Sequence, residues 1–174
     1  MLPRPTRDDD ERTVHVSTNG EQAYALFEAA LGQPEGTGEW FEVTQERIDR
    51  FADVTEDRQF IHVDPKMSAE LSPYQVTIAH GFLTLSMLTH LSGSIPQPME
   101  RLNGILMGVN YGFDKVRFVS PVKVNSKIRA SSVLKAVEQR DPSTLQVVRT
   151  VTVEIEGESK PAVVADWVTR LVYG

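Results

Sequence analysis

The chain has 174 residues, 40% of them apolar and 24% charged, with no cysteine, a formal net charge of -6 and a sequence pI near 5.2. That length suits one domain, since single cores commonly serve about 100 to 200 residues. The acidic balance argues against a nucleic-acid partner, which calls for a basic stripe. The lack of cysteine excludes disulfides, thiolate metal sites and a cysteine nucleophile, and fits a reducing compartment.

The amino-terminal stretch Met1 to Glu11 places no apolar run after its basic residues, so it does not read as a secretory signal. No segment approaches the roughly 18 to 20 apolar residues that span a bilayer. The expectations are a cytoplasmic protein with no membrane partner, a mobile charged tail over residues 1–18, and a single domain over 19–174.

From Glu21, the apolar residues Ala23, Leu26, Phe27 and Ala30 fall at helix-face spacing until Gly32 and Pro34 end the pattern. Trp40 to Val43 reads as a short strand, and Thr44 then offers an N-cap hydroxyl to a helix whose buried stripe is Ile48, Phe51 and Ala52. That helix should fail near Val54-Thr55, which puts Asp57 to His62 on the loop beyond it. Asp64 before Pro65 is a helix start, with aspartate as cap and proline at the first helical position.

Residues 78–92 carry apolar side chains around most of the helical circumference, which predicts a central helix enclosed by protein and closed by Gly93. Strands are expected over Gly104 to Phe113, Lys127 to Glu138, Thr144 to Glu156 and Ala162 to Tyr173, separated by proline- and glycine-bearing turns. Long antiparallel strands following one enclosed helix predict an α+β domain whose sheet wraps that helix.

One short segment concentrates the chemistry. Asp57 and His62 put a carboxylate and an imidazole close together, just before Ile78-Ala79-His80-Gly81. Such a pair can hold a water and move its proton near neutral pH. Read alone, the two are more often a surface pair or a turn-stabilising contact. His80 at a helix start reads first as a capping or packing residue, His90 as structural, and His15 as part of the tail. Asp64 reads as a cap and Asp53 as part of a solvated helix face. Phe82, Leu83, Leu85, Met87 and Leu88 read first as core. The four histidines lack the short helical spacing of a zinc pair, and the acidic run Asp8 to Glu11 reads as solvated tail, so no metal site is expected.

The order of these motifs resembles the MaoC-like hydratases, within them the single-domain nodulation-protein-N-like branch. The resemblance rests on Asp57-x4-His62, Asp64-Pro65, Ile78-Ala79-His80-Gly81 and the later run Asn110-Tyr111-Gly112, Val116-Arg117-Phe118 and Pro121-Val122, and spans about Trp40 to Val172. It implies a hot-dog fold, an antiparallel sheet wrapped around a long central helix, and a homodimer made by joining two sheets. It also implies (R)-specific hydration of a trans-2-enoyl-CoA to the (3R)-hydroxyacyl-CoA in fatty-acid or lipid metabolism. No cofactor is expected, the thioester of coenzyme A or of acyl carrier protein being the substrate.

Carried over by position, the resemblance makes Asp57 and His62 the catalytic pair and the Gly81 backbone N–H the donor to the thioester oxygen. Gln59, Thr89 and His80 become supporting candidates, and Phe60 and Phe82 candidates for the acyl pocket. Gln59 and Phe60 stand where the commoner family motif, Asp-x-Asn-Pro-x-His, has asparagine and proline. Two other readings keep the fold: a hot-dog acyl-CoA thioesterase, disfavoured by the paired His62, and a non-catalytic acyl-thioester-binding subunit.

Overall fold

A computed structural model describes residues 17–174. All but the last two residues of the expected tail, with His15 and the run Asp8 to Glu11, lie outside these residues. Thr18 does not belong with a tail. It is the N-cap of helix α1 (Asn19–Glu28), in a capping box with Glu21, and its hydroxyl donates to the Pro142 carbonyl at 2.8 Å.

Six strands form one antiparallel sheet. They are β1 (Pro34–Thr37), β2 (Phe41–Glu42), β3 (Ile105–Phe118), β4 (Lys127–Asp141), β5 (Thr144–Ile155) and β6 (Val163–Tyr173). The order across the sheet is β1-β4-β5-β6-β3, with β2 also pairing β4. The two hairpins form because the intervening residues suit turns: the Asp141 carboxylate accepts the Ser143 N–H at 2.9 Å, and Gly157 takes a positive φ of 78°.

Two expectations about strands change. β3 runs five residues beyond Phe113 because Lys115 to Phe118 find partners along β6. The sequence pattern over residues 34–37 shows only helix-stopping and glycine residues. β1 is a strand because Pro34, Gly36 and Thr37 lie against Val133, Ser132 and Ser131 of β4, and Gly36, at φ 130°, turns through a bulge that a side chain would resist.

One face of the sheet packs on a helix pair, α5 (Gly81–Ser86) and α6 (Leu88–Gly93). Leu83, Met87, Leu88, Leu91 and Ile95 meet Ile128, Ala130, Val151, Val153 and Ala165 in the main core. The expected single helix is therefore broken at Met87. Ser86, whose hydroxyl donates back to the Phe82 and Leu83 carbonyls, is the local cause, because such back-bonding competes with the helical ladder and bends it. Nor is the pair enclosed on every side: Phe82 is 68% exposed, and Ser86, Thr89 and His90 share the open side. Gly93 is the last helical residue, and Ser94 caps the end.

Before the helix pair come α2 (Gln45–Thr55), α3 (Phe60–Val63) and α4 (Pro65–Leu71). The Thr44 and Asp64 side chains cap α2 and α4 as expected. Glu56, in the left-handed region, ends α2. His62 sits on the one-turn helix α3 and not on a loop, because the Gln59 carbonyl accepts the His62 and Val63 N–H groups. No described helix is long and apolar enough to cross a membrane.

Candidate active site

Three backbone and side-chain links hold His62. The Ile78 N–H donates to the Ile61 carbonyl at 2.9 Å, which pins α3 to the segment before α5. The His62 Nδ1–H donates to the Ile78 carbonyl at 2.7 Å. Gln45, on the first turn of α2, donates from its amide to the His62 carbonyl at 2.7 Å and to Asp49 at 2.8 Å, and accepts from the buried Thr77 hydroxyl. Sequence reasoning missed Gln45, since its partners are distant in the chain and an amide in a first helical turn has no distinctive pattern.

His80 stacks on His62 with ring centroids 3.7 Å apart and planes inclined by 26°. Phe51 packs against it as well, with ring centroids 5.0 Å apart. Its Nε2–H donates to the backbone carbonyl of Asp57 at 2.9 Å, which leaves Nδ1 buried without a partner among the described residues. The first reading of His80 as a packing residue is thus only half of its placement, because the ring also ties the Asp57 backbone to the start of α5.

The Asp57 carboxylate is 56% exposed and lies 4.0 Å from His80 Nε2. Ligand-type atoms of Asp57, His62 and His80 all lie within 4.8 Å of one another. The Ile78 carbonyl, and not the Asp57 carboxylate, orients the His62 ring, and the carboxylate stands off at a separation that suits a shared water. The fold also assembles a histidine pair that no short sequence spacing announces, although the Ile78 and Asp57 carbonyls already occupy one nitrogen of each ring.

Burial pushes the His62 imidazole below its ordinary pKa of 6.5, with the neighbouring His80 acting in the same direction and the Ile78 bond and Asp57 opposing. A carbonyl oxygen only accepts, so the proton of the neutral ring is on Nδ1 and the Nε2 lone pair is free.

A cleft of about 280 Å³ opens beside this cluster, lined by His62, Tyr74, Gly81, Thr84, Phe118 and Ser120 among others. Gly81 is the first residue of α5, a position whose N–H has no acceptor within the helix. A Cβ there would come within 2.9 Å of the Phe118 ring, so the close approach needs glycine. Thr84, buried one turn on, lines the cleft. Thr89 does not: it lines a separate apolar groove of about 340 Å³ with Phe51, Phe82, Leu85, Asn110 and Trp167. Phe82 therefore faces the groove, and Phe118, which it meets edge-on at 5.7 Å, faces the cleft. Phe60 is half-buried and lines neither. Gln59 is exposed and caps α3 through its backbone, with no side-chain cap bond. Of the remaining readings, Phe82 departs from the core, and three hold: Asp64 accepts the Met67 N–H at 2.9 Å, Asp53 pairs with Arg58 on the surface at 2.7 Å, and His90 packs on Phe41 at 4.6 Å.

A six-stranded antiparallel sheet packed on a helix whose first residues border a polar cleft is the hot-dog architecture. The MaoC like domain family matches residues 26–156, and the chain belongs to the MaoC-like dehydratase family. It is 47% identical over 153 residues to nodulation protein N of Rhizobium leguminosarum bv. viciae, covering 88% of this chain and 93% of that protein. To 3-hydroxyacyl-thioester dehydratase Z of Mycobacterium tuberculosis (strain ATCC 25618 / H37Rv) it is 43% identical over 151 residues, covering 87% and 97%. Among solved structures, the fold is similar to the (R)-hydratase from A. caviae involved in PHA biosynthesis, with a TM-score of 0.63, 23% identity and coverage of 80% and 94%. A MaoC-like dehydratase from Rhodospirillum rubrum matches with a TM-score of 0.66, 18% identity and coverage of 86% and 97%.

Proposed function

We propose that this protein is an (R)-specific enoyl-thioester hydratase, adding water reversibly to a trans-2-enoyl-CoA to give the (3R)-hydroxyacyl-CoA. The observation that carries this reading is the pairing of a neutral His62, whose Nε2 is free, with the Asp57 carboxylate at a separation that suits one water. Membership of the dehydratase family and the dehydratase among its relatives support it.

In the hydration direction, Nε2 of His62 accepts a proton from the water as its oxygen bonds to the β-carbon. The π electrons of the double bond move toward the thioester carbonyl, whose oxygen gains negative charge. The Gly81 N–H meets that oxygen, the kind of donor whose loss typically costs about 100- to 1000-fold in rate. The enolate then takes a proton at the α-carbon from the Asp57–His62 pair, and the carbonyl re-forms. His80 holds the Asp57 backbone in register, and Gln45 holds α3. The residues need no metal for these steps, and exhaustive chelation should leave the rate unchanged.

The working form in this reading is a homodimer. β3 is one edge of the sheet, 14 residues long, and Leu106, Met107, Val109 and Tyr111 on it are exposed by 43% or more. A long apolar edge strand invites pairing with another strand, and a second copy of β3 would join the two sheets. The setting proposed is cytoplasmic acyl-thioester metabolism, with coenzyme A or acyl carrier protein as the carrier.

The test is a hydration assay over trans-2-enoyl-CoA chain lengths, read as loss of the conjugated-thioester absorbance, with the product's chirality determined. A (3R) product is expected. Thiol release without hydration would point instead to a thioesterase, and tight acyl-CoA binding without either product to a non-catalytic binder.

A further inference from the structure

The apolar groove has a polar neighbour. It follows one stripe of the helix pair, Phe82, Leu85, Ser86 and Thr89, and shares Trp167 with a second cavity of about 210 Å³ lined by Ser92, Gln97, Arg149, Thr169 and Leu171. From Phe82 to Ser92 the stripe covers about 15 Å at 1.5 Å per helical residue. Its near end touches the candidate active site twice. Phe51 packs on His80, and Phe82 directly follows Gly81.

The far end is unusual for an acyl channel. The Ser92 hydroxyl, the Gln97 amide oxygen and the Trp167 indole N–H are buried and have no partner among the described residues. All three residues line the one small cavity, and leaving three buried polar groups unmet side by side is costly. Two of them are donors, and the Gln97 amide can present its NH₂ after a flip.

Charge points the same way. Arg149 lines this end, and its Nε–H donates to Glu35 at 2.8 Å, while Arg101 approaches the same carboxylate at 3.5 Å. The three side chains are 15%, 11% and 3% exposed, so two guanidinium groups share one acid in a nearly dry setting. The cluster holds a net positive charge beside a cavity with spare donors.

We propose that the groove selects acyl chains whose far end carries a carboxylate, with Arg149, Ser92 and Trp167 as the residues that recognise it. The proposal rests on the hydratase reading for the direction of the chain, with the thioester at Gly81 and the tail toward Ser92. A carboxylate at that end balances the charge and accepts the free N–H and O–H groups. A methyl end would bury them unmet.

The experiment compares chain-matched substrates, trans-2-dodecenoyl-CoA and its carboxylate-ended analogue trans-2-dodecenedioyl-CoA, alongside equilibrium binding of saturated dodecanoyl-CoA and dodecanedioyl-CoA to the same full-length protein. Charge-assisted hydrogen bonds of about 1.5 to 3 kcal/mol correspond to a preference of roughly ten- to a hundredfold for the carboxylate-ended chain in kcat/KM and in Kd. Ser92→Leu, which fills the polar end without touching the Glu35 ion pairs, should collapse that ratio toward one, and Arg149→Gln should do the same. Equal or weaker binding of the carboxylate-ended chain overturns the proposal, as does a ratio that Ser92→Leu leaves intact. Failure of the hydratase reading is distinct: neither enoyl substrate would turn over, while the saturated ligands would still decide the specificity.

Discussion

The His62 ring is fixed by the Ile78 carbonyl, 2.7 Å from Nδ1, and not by the Asp57 carboxylate. This bond sets the tautomer and leaves Nε2 as a base, and burial keeps that base neutral by lowering its pKa below 6.5. Hydratase kcat/KM should therefore be flat through neutrality and fall on the acid side with an inflection below 6.5. Stability follows the same sign: the unfolded histidine takes up its proton before the folded one. Its contribution is thus complete above about 6.5 and is lost as pH falls through the lower folded value. A pH–rate profile beside melting curves of wild type and His62→Gln checks both. An acid-side inflection clearly above 6.5 would contradict the assignment.

Gln45 acts on the site only through His62, by bracing its carbonyl against Asp49 and Thr77. Gln45→Ala should lower kcat by about tenfold or more, since small misplacements of a catalytic group are expensive, with little change in KM. A displaced acid-side inflection separates this positioning role from simple loss of stability.

The Glu35 side chain is 3% exposed and meets Arg149, Arg101 and the Ser132 hydroxyl, so it ties β1 to β4, β5 and α7 (Met99–Leu102). Removing its charge leaves two buried guanidinium groups without a counter-ion. Glu35→Gln should destabilise the fold by about 3 to 5 kcal/mol, read from urea unfolding. A change below about 1 kcal/mol would mean that water reaches the cluster freely.

The open edge of β3 predicts an oligomeric state. Met107→Lys with Val109→Lys puts charge on two exposed edge residues and should turn a dimer into a monomer in light scattering or sedimentation. A wild-type monomer at micromolar concentration would remove the paired-sheet assembly.

Much of this was legible in the sequence where the signal was local. Thr44 and Asp64-Pro65 start helices because a cap acts within one turn, and β4 to β6 follow from alternation and turn residues. β1 was not legible, since Pro34-Glu35-Gly36-Thr37 has no alternation and becomes a strand only because β4 offers an edge. The Asp57, His62 and His80 cluster was half legible. The residue types and the motif order pointed to it, but the stacking of two rings from separate segments, and the Ile78 carbonyl that orients one of them, depend on packing that no spacing encodes. Thr89 fell into the groove for a related reason: its place on the helix follows from the face that α5 and α6 turn to the sheet.

The most direct measurement of the central claim is trans-2-enoyl-CoA hydration by wild type, Asp57→Asn and His62→Ala, each verified as folded. Wild type should turn over with a (3R) product, and each variant should lose about 100- to 10,000-fold in kcat, the usual worth of general acid–base catalysis. Wild-type-like turnover in both variants would contradict the account.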